Sequence, residues 1–461
     1  EYLKKEIIEK DKRASPILIG CPDKSCRDPI GVENVKKLCD DETKKVVDQV
    51  LKTIPNKHPE CLADMGYTFS KDGKLINAET KGKFHFVTQL HYEVLGDFVA
   101  PYIQNLMTQR FGLIEAELPL REDGPINNIF LSPNALKCER LMLLIQGSGA
   151  VRAGMWARAL CINDTLETGS VIPYIIRAQK NGFGVIVFNP NLNVVDVPAR
   201  QYTGKEFAVA KAPKRTDDYE RKRIKHNESP PTHTIYVWDE FAAKAAATDI
   251  VIVAHSAGGH CTMELLRERE DEVMPKLRAI AFTDSVHSVS TRESKKVVGF
   301  FQRGDAVNWA QSDEPLDTEL ENRSGLSSRH SAGCPVVSAG HPKHENTSSS
   351  AIESVFKFLC RKVNSQYDDV VDEPDYSEPP PSLAEQLAIV AKEQGVIISN
   401  DNNDNNDDED DNIDEKDKKE EKKNDDDNDD EDQQSEEKKD ETNTNNDNES
   451  SKNDSDSEEK T

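Results

Sequence analysis

Residues 249–259 read Asp-Ile-Val-Ile-Val-Ala-His-Ser-Ala-Gly-Gly, and no other stretch constrains the fold of this chain as much. Ile250 to Ala254 are apolar and mostly β-branched, the composition of a strand buried on both faces. From His260 to Arg269 the spacing becomes helical. A strand that passes into a helix this quickly must turn sharply, and Ser256 stands at the apex. Such a turn strains the serine backbone, lifts its hydroxyl out of the sheet and points the next amide at the same place. Strand and helix can approach closely only if the residues two before and two after the serine are small. Here they are Ala254, in place of the usual glycine, and Gly258.

Strand, turn and serine together form the nucleophile elbow of an α/β-hydrolase, and the rest of the chain alternates accordingly. A hairpin is expected over 66–76 and a helix over 87–107. Strands are expected at 113–120, 129–131, 141–145, 184–188, 277–282, 307–310 and 335–339. Helices are expected at 172–181, 235–248 and 350–360. The expected fold class is therefore α/β: an α/β-hydrolase-like, mostly parallel sheet with helices on both faces. The strand at 141–145 runs into Gln-Gly-Ser-Gly-Ala, where backbone amides can face a developing negative charge. No Gly-Lys-Ser/Thr follows, which argues against a nucleotide-binding loop.

In this fold the acid and then the histidine follow the serine, each past the end of a later strand. His344 fits the histidine, with His341 as the alternative. Two acids compete: Asp284 ends the strand after the elbow, and Asp317 lies in a loop before the last strand. The residues alone leave both open. In the expected chemistry His344 takes the Ser256 proton and an aspartate orients its ring. The amides of Ala257 and of Gly147 or Ser148 hold the oxyanion.

The 461 residues carry a formal charge of −26, unevenly spread. From residue 401 to the end there are 29 acidic and 9 basic residues, so this tail alone carries −20 and the rest −6. The tail has almost nothing apolar to bury, and an acidic C-terminal segment that stays disordered is expected. The organisation expected is an extension of unknown purpose over 1–60, a hydrolase domain over 61–362 and a tail over 363–461. The domain carries a charged loop insertion at 197–232, and a short helix at 383–398 falls within the tail. No apolar run reaches membrane-spanning length, so no membrane partner is expected. The first residue is Glu1 rather than Met, which leaves a targeting segment upstream open. Cys21, Cys26, Cys39 and Cys61 lack zinc-ligand spacing, so no metal and no cofactor is expected. Cys138, Cys161, Cys261 and Cys360 read as buried thiols.

Several stretches resemble a known family. They are Ile145 to Arg158 (Ile-Gln-Gly-Ser-Gly-Ala-Val-Arg-Ala-Gly-Met-Trp-Ala-Arg), Tyr236-Val-Trp-Asp239, Ala254 to Gly259, Thr283-Asp-Ser-Val-His287, Glu314-Pro-Leu-Asp-Thr318, and Ser338-Ala-Gly340 with His344-Glu345. In this order they resemble the Argonaute-binding (Arb) domain family, which includes animal cotranscriptional regulators, over roughly residues 61–362. The resemblance implies an α/β-hydrolase fold used in nuclear gene regulation, with links to Argonaute, small-RNA heterochromatin and splicing. It implies protein partners (Argonaute, chromatin or splicing factors) and a nuclear location, with room for a cytoplasmic pool. It also places the family's nucleophile on Ser256. Two departures bear on catalysis: Gln146 stands where animal members carry His, and Ala257 where they carry Tyr. Two functions are expected in competition. One is a binding scaffold, whose acidic tail favours basic partners such as histones and disfavours direct nucleic-acid contact. The other is an active serine hydrolase of esterase or thioesterase type.

Overall fold

The computed structural model describes residues 41–54, 59–198, 203, 205, 219–290, 292–320 and 332–377. The acidic tail, the helix expected at 383–398, Cys21, Cys26, Cys39 and most of 199–218 lie outside the described residues. Twelve strands are described: β1 (Tyr67–Phe69), β2 (Leu75–Asn77), β3 (Ile114–Leu118), β4 (Asn127–Leu131), β5 (Arg140–Ile145), β6 (Phe183–Val187), β7 (Val194–Pro198), β8 (Tyr219–Arg223), β9 (Asp249–His255), β10 (Leu277–Thr283), β11 (Ala306–Ala310) and β12 (Val336–Ser338). The helices that matter here are α1 (Asp41–Thr53), α2 (Gln89–Gln109), α3 (Arg158–Asn163), α4 (Ile172–Lys180), α5 (Pro230–Val237), α6 (Gly258–Glu268), α7 (Lys295–Gln302) and α8 (Ile352–Lys362).

The main sheet has eight strands in the order β12-β11-β10-β9-β5-β6-β4-β3. Six of them, from β12 to β6, pair in parallel. β4 alone runs against the rest, because it pairs antiparallel with both β6 and β3. The apolar runs at β5 and β9 explain their central place. Met142 and Leu144 of β5, with Val251 and Val253 of β9, enter one apolar cluster. Leu141, Leu143, Ile145, Ile250, Ile252 and Ala254 enter the other. Successive residues of a strand point to opposite faces, so only an unbroken apolar run can bury both.

Helices close both faces. Ile352, Val355, Phe356 and Leu359 of α8 repeat at helical spacing and join the first cluster, with Leu95, Val99 and Ile103 of α2. Leu265 and Leu266 of α6 and Phe300 and Phe301 of α7 join the second. Thr88 caps α2 by accepting from the His91 amide at 3.1 Å. Ser229 caps α5, whose first turn holds Pro230 and Pro231.

Three expectations change. The helix expected at 235–248 begins earlier, at Pro230, and gives way to a wider turn over Trp238–Ala242. The insertion expected as a charged loop opens and closes as a ribbon, β7 pairing antiparallel with β8. Ile224 follows β8 fully buried, so the basic run 221–225 is part of folded structure. Finally, α7 was not expected at all.

The packed body also takes in residues on both sides of 61–362. Val47 and Val50 of α1 and Ile54 just after it belong to the first cluster, and so does Tyr376. Residues 364–377 form a strap along the body. Asp368 and Asn181 exchange two hydrogen bonds, at 2.8 and 3.1 Å. The Tyr376 carbonyl accepts from the Tyr102 hydroxyl at 2.9 Å, and the Tyr376 hydroxyl donates to Glu167. Among the described residues no helix is long and apolar enough to cross a membrane.

Candidate active site

Ser256 follows β9 with φ of +52°, in the left-handed region that costs a residue with a Cβ and is held only by surrounding structure. Its amide donates to the Thr283 carbonyl at 3.1 Å, and its carbonyl accepts from Gly259 and Val286, both at 3.2 Å. These bonds lock the turn between β10 and the start of α6. The glycine requirement read from the sequence is visible in the packing. A Cβ on Gly258 would sit 2.5 Å from the Ile145 carbonyl oxygen, and one on Gly147 would sit 2.8 Å from the Ser256 Cβ. Gly258→Ala is therefore expected to destabilise the fold by about 1–3 kcal/mol, read as a lowered Tm. An unchanged Tm would mean that β5 and α6 part more easily than this contact implies.

Of the two candidate acids, Asp284 meets the histidine. Its Oδ2 accepts from His344 Nδ1 at 2.7 Å, while Oδ1 accepts from the Gln311 amide at 3.2 Å. Asp284 is placed by the sheet: its own amide donates to the Trp309 carbonyl at 2.7 Å, continuing the β10–β11 pairing. It is buried, whereas the His344 side chain is 41% exposed. Asp317 is engaged elsewhere, accepting from Trp309 Nε1 at 2.8 Å and from the Ser354 hydroxyl at 2.6 Å. His341 accepts from the Lys343 amide and lines a different cavity. With Nδ1 donating to a carboxylate, His344 keeps Nε2 free to accept a proton.

Ser256 and His344 line one cleft of about 260 Å³, together with Gly147, Ser148, Trp156 and Arg158. Among the described residues the amides of Gly147, Ser148 and Ala257 donate no hydrogen bond. His255 lines the cleft as well, and its Nδ1 donates to the Thr283 carbonyl at 3.0 Å. Burial, and after it the neighbouring His344, pushes the His255 imidazole down to about 3, so it is neutral. Gln146 is 1% exposed, and neither of its amide atoms has a partner among the described residues.

Sequence reasoning passed over the residues that shape the glycine loop. Asn191 Nδ2 donates to the Gly147 carbonyl at 2.7 Å, and Asn189 Oδ1 accepts from the Ala153 amide at 2.9 Å. Asn189 is fixed in turn by its amide, which donates to the buried His233 Nε2 at 3.0 Å. The signal was present as Asn-Pro-Asn directly after a buried strand. Among the described residues no three His, Cys, Asp or Glu side chains are grouped to hold a metal ion.

Comparison with known proteins identifies the family of the chain. The sequence model of the Arb2 domain matches residues 58–316. The chicken cotranscriptional regulator ARB2A homolog is 36% identical over 359 residues, which cover 69% of this chain and 85% of that protein. The human cotranscriptional regulator ARB2A is 37% identical over 344 residues, covering 66% and 81%. The Dictyostelium discoideum homolog is 40% identical over 323 residues, covering 67% and 81%. The chain belongs to the Arb2 domain family, with an α/β-hydrolase-like fold and relatives named as cotranscriptional regulators.

Proposed function

We propose that this chain serves nuclear gene regulation and that it does so with a working serine-hydrolase site of esterase or thioesterase type. The observation that carries the hydrolase reading is the 2.7 Å bond from His344 to Asp284 beside a positive-φ Ser256 in one cleft. In the proposed mechanism the Ser256 hydroxyl attacks an acyl carbonyl and His344 Nε2 takes its proton. Asp284 holds the ring and stabilises the imidazolium. The amides of Ala257 and of Gly147 or Ser148 take up the charge on the carbonyl oxygen. His344 then returns the proton to the leaving group, and water repeats the sequence to free the enzyme. Asp317 has no part in this.

The regulatory context rests on the relatives' name, and nuclear location with a cytoplasmic pool goes with it. A binding scaffold is the second reading. Its support is the tail, whose 29 acidic against 9 basic residues favour basic protein partners such as histones and disfavour nucleic acid. Argonaute, chromatin and splicing factors are the partners proposed for that scaffold. Full-length protein treated with a fluorophosphonate probe decides between the two. Labelling that vanishes in Ser256→Ala is expected. A folded wild type that takes no label would sink the hydrolase reading. The scaffold reading would then stand or fall on whether a pulldown recovers Argonaute, histones or splicing factors.

A further inference from the structure

Arg158 lines the same cleft as Ser256 and His344. Its guanidinium carbon lies 5.5 Å from the centre of the Tyr92 ring, and Tyr92 lines the cleft as well. Under the arginine, α2 carries Gly96, where a Cβ would come within 2.7 Å of Arg158 Cδ and 3.1 Å of Nη1. Glycine weakens the middle of a helix, so its place here is explained by the side chain that fills the space above it. The arginine is thus held from two sides. Yet it forms no ion pair and donates no hydrogen bond among the described residues. A second donor points the same way: Trp156 is 2% exposed, lines this cleft, and its indole Nε1 has no acceptor among the described residues. The cleft is also lined by the Glu345 carboxylate and by the imidazoles of His344 and His255, and His255 is neutral.

A guanidinium fork and an indole N–H offer only donors, and a carboxylate offers only acceptors, with planar geometry that matches the fork. The cleft, about 260 Å³ and open to solvent, has room for a short chain within reach of Arg158. We propose that the Ser256 site takes short acyl groups that end in a carboxylate, with Arg158 as the residue that recognises it. This rests on the hydrolase reading for its chemistry but not for its binding. Glu345 lines the same cleft and disfavours any negative charge beyond the one that Arg158 offsets.

Binding to the full-length protein is measured first, with glutaramate and with butyramide, amides that differ by the terminal carboxylate and resist hydrolysis. Wild type is expected to bind glutaramate at least about ten-fold tighter, and Arg158→Gln to lose that margin while butyramide binding stays the same. Arg158→Lys keeps the stem over Gly96 and the charge, so it is expected to retain part of the margin and to show that the fold tolerates change here. Equal binding of the two amides by wild type would overturn the assignment, as would inorganic phosphate binding tighter than glutaramate. Turnover is read second, on glutaryl and butyryl thioesters of N-acetylcysteamine. The expected preference for glutaryl lies mainly in KM and disappears in Arg158→Gln. A glutaramate preference without turnover of either thioester would leave the carboxylate site standing and remove the hydrolase reading instead.

Discussion

Asp284→Asn is expected to lower the turnover of Ser256-dependent hydrolysis by on the order of 10³–10⁴-fold, with the fold intact. The reason lies in how its carboxylate is shared. Oδ1 accepts from the Gln311 amide and Oδ2 from His344 Nδ1. An asparagine must keep its oxygen toward the Gln311 N–H, which turns its NH₂ toward His344. A donor facing Nδ1 forces the ring to carry its proton on Nε2 instead, and the imidazole can no longer accept from the serine. Such a loss corresponds to about 4–5.5 kcal/mol of transition-state stabilisation. Asp317→Asn is expected to leave turnover near wild type. Its oxygen can still accept from Trp309 and its amide can donate to the Ser354 hydroxyl, so the cost is about 1 kcal/mol of stability. Rates for both variants on one activated ester, with Tm alongside, make the comparison. If Asp317→Asn lost turnover and Asp284→Asn did not, the acid would be the other aspartate.

The second large effect is acid lability. Burial pushes His91 and His287 down to about 4 and His233 and His255 down to about 3. Each is neutral in the folded protein for a visible reason. Among the described residues His91 has no partner at either ring nitrogen, and His233 Nε2 must accept from the Asn189 amide. His287 stacks on Phe282 with ring centres 3.8 Å apart. In the unfolded chain all four titrate near 6.5. Their stabilising contribution is therefore complete above about pH 6.5 and is lost as the pH falls from there toward 4 and 3. Near pH 5 unfolding takes up close to four protons at these sites. That slope, about 5 kcal/mol per pH unit, exhausts a stability of about 5–15 kcal/mol within a few units. Tm is expected to hold between pH 8 and 7 and then fall steeply. His91→Leu removes one proton from the balance and is expected to flatten the fall. A Tm unchanged down to pH 4.5 would show that these rings are protonated in the folded state.

How much of this was legible depended on whether the information was local. The strands β5, β6, β9 and β10 announced themselves, because burial on both faces demands an unbroken apolar run and leaves no room for another pattern. The elbow was legible for the same reason: Ser256 and Gly258 satisfy a steric condition within five residues. The acid was not. Asp284 and Asp317 both follow strands and both adopt positive φ, at +43° and +67°. Only the pairing of β10 with β11, and the capture of Asp317 by the Trp309 indole, separates them. The Arg158 platform was further out of reach, since Tyr92 and Gly96 come from a helix some sixty residues away. The ribbon of β7 and β8 was hidden because both strands are short, β7 ends in a proline and β8 is almost wholly charged.

The strap of residues 364–377 bears on the order in which the protein can be finished during synthesis. Tyr376 packs against Gly73, where a Cβ would lie 2.9 Å from its ring, and reaches Glu167 and Tyr102. The bond to Tyr102 spans 274 residues. The hairpin of β1 and β2 and the helix beside it leave the ribosome early, and the side chain that covers them follows only after all the strands of the main sheet. Until then the nascent chain exposes that apolar surface, while the central parallel strands, already released, can assemble. Each newly made molecule thus passes through a period in which it is open to chaperones and to proteases, and the arrival of one tyrosine closes it.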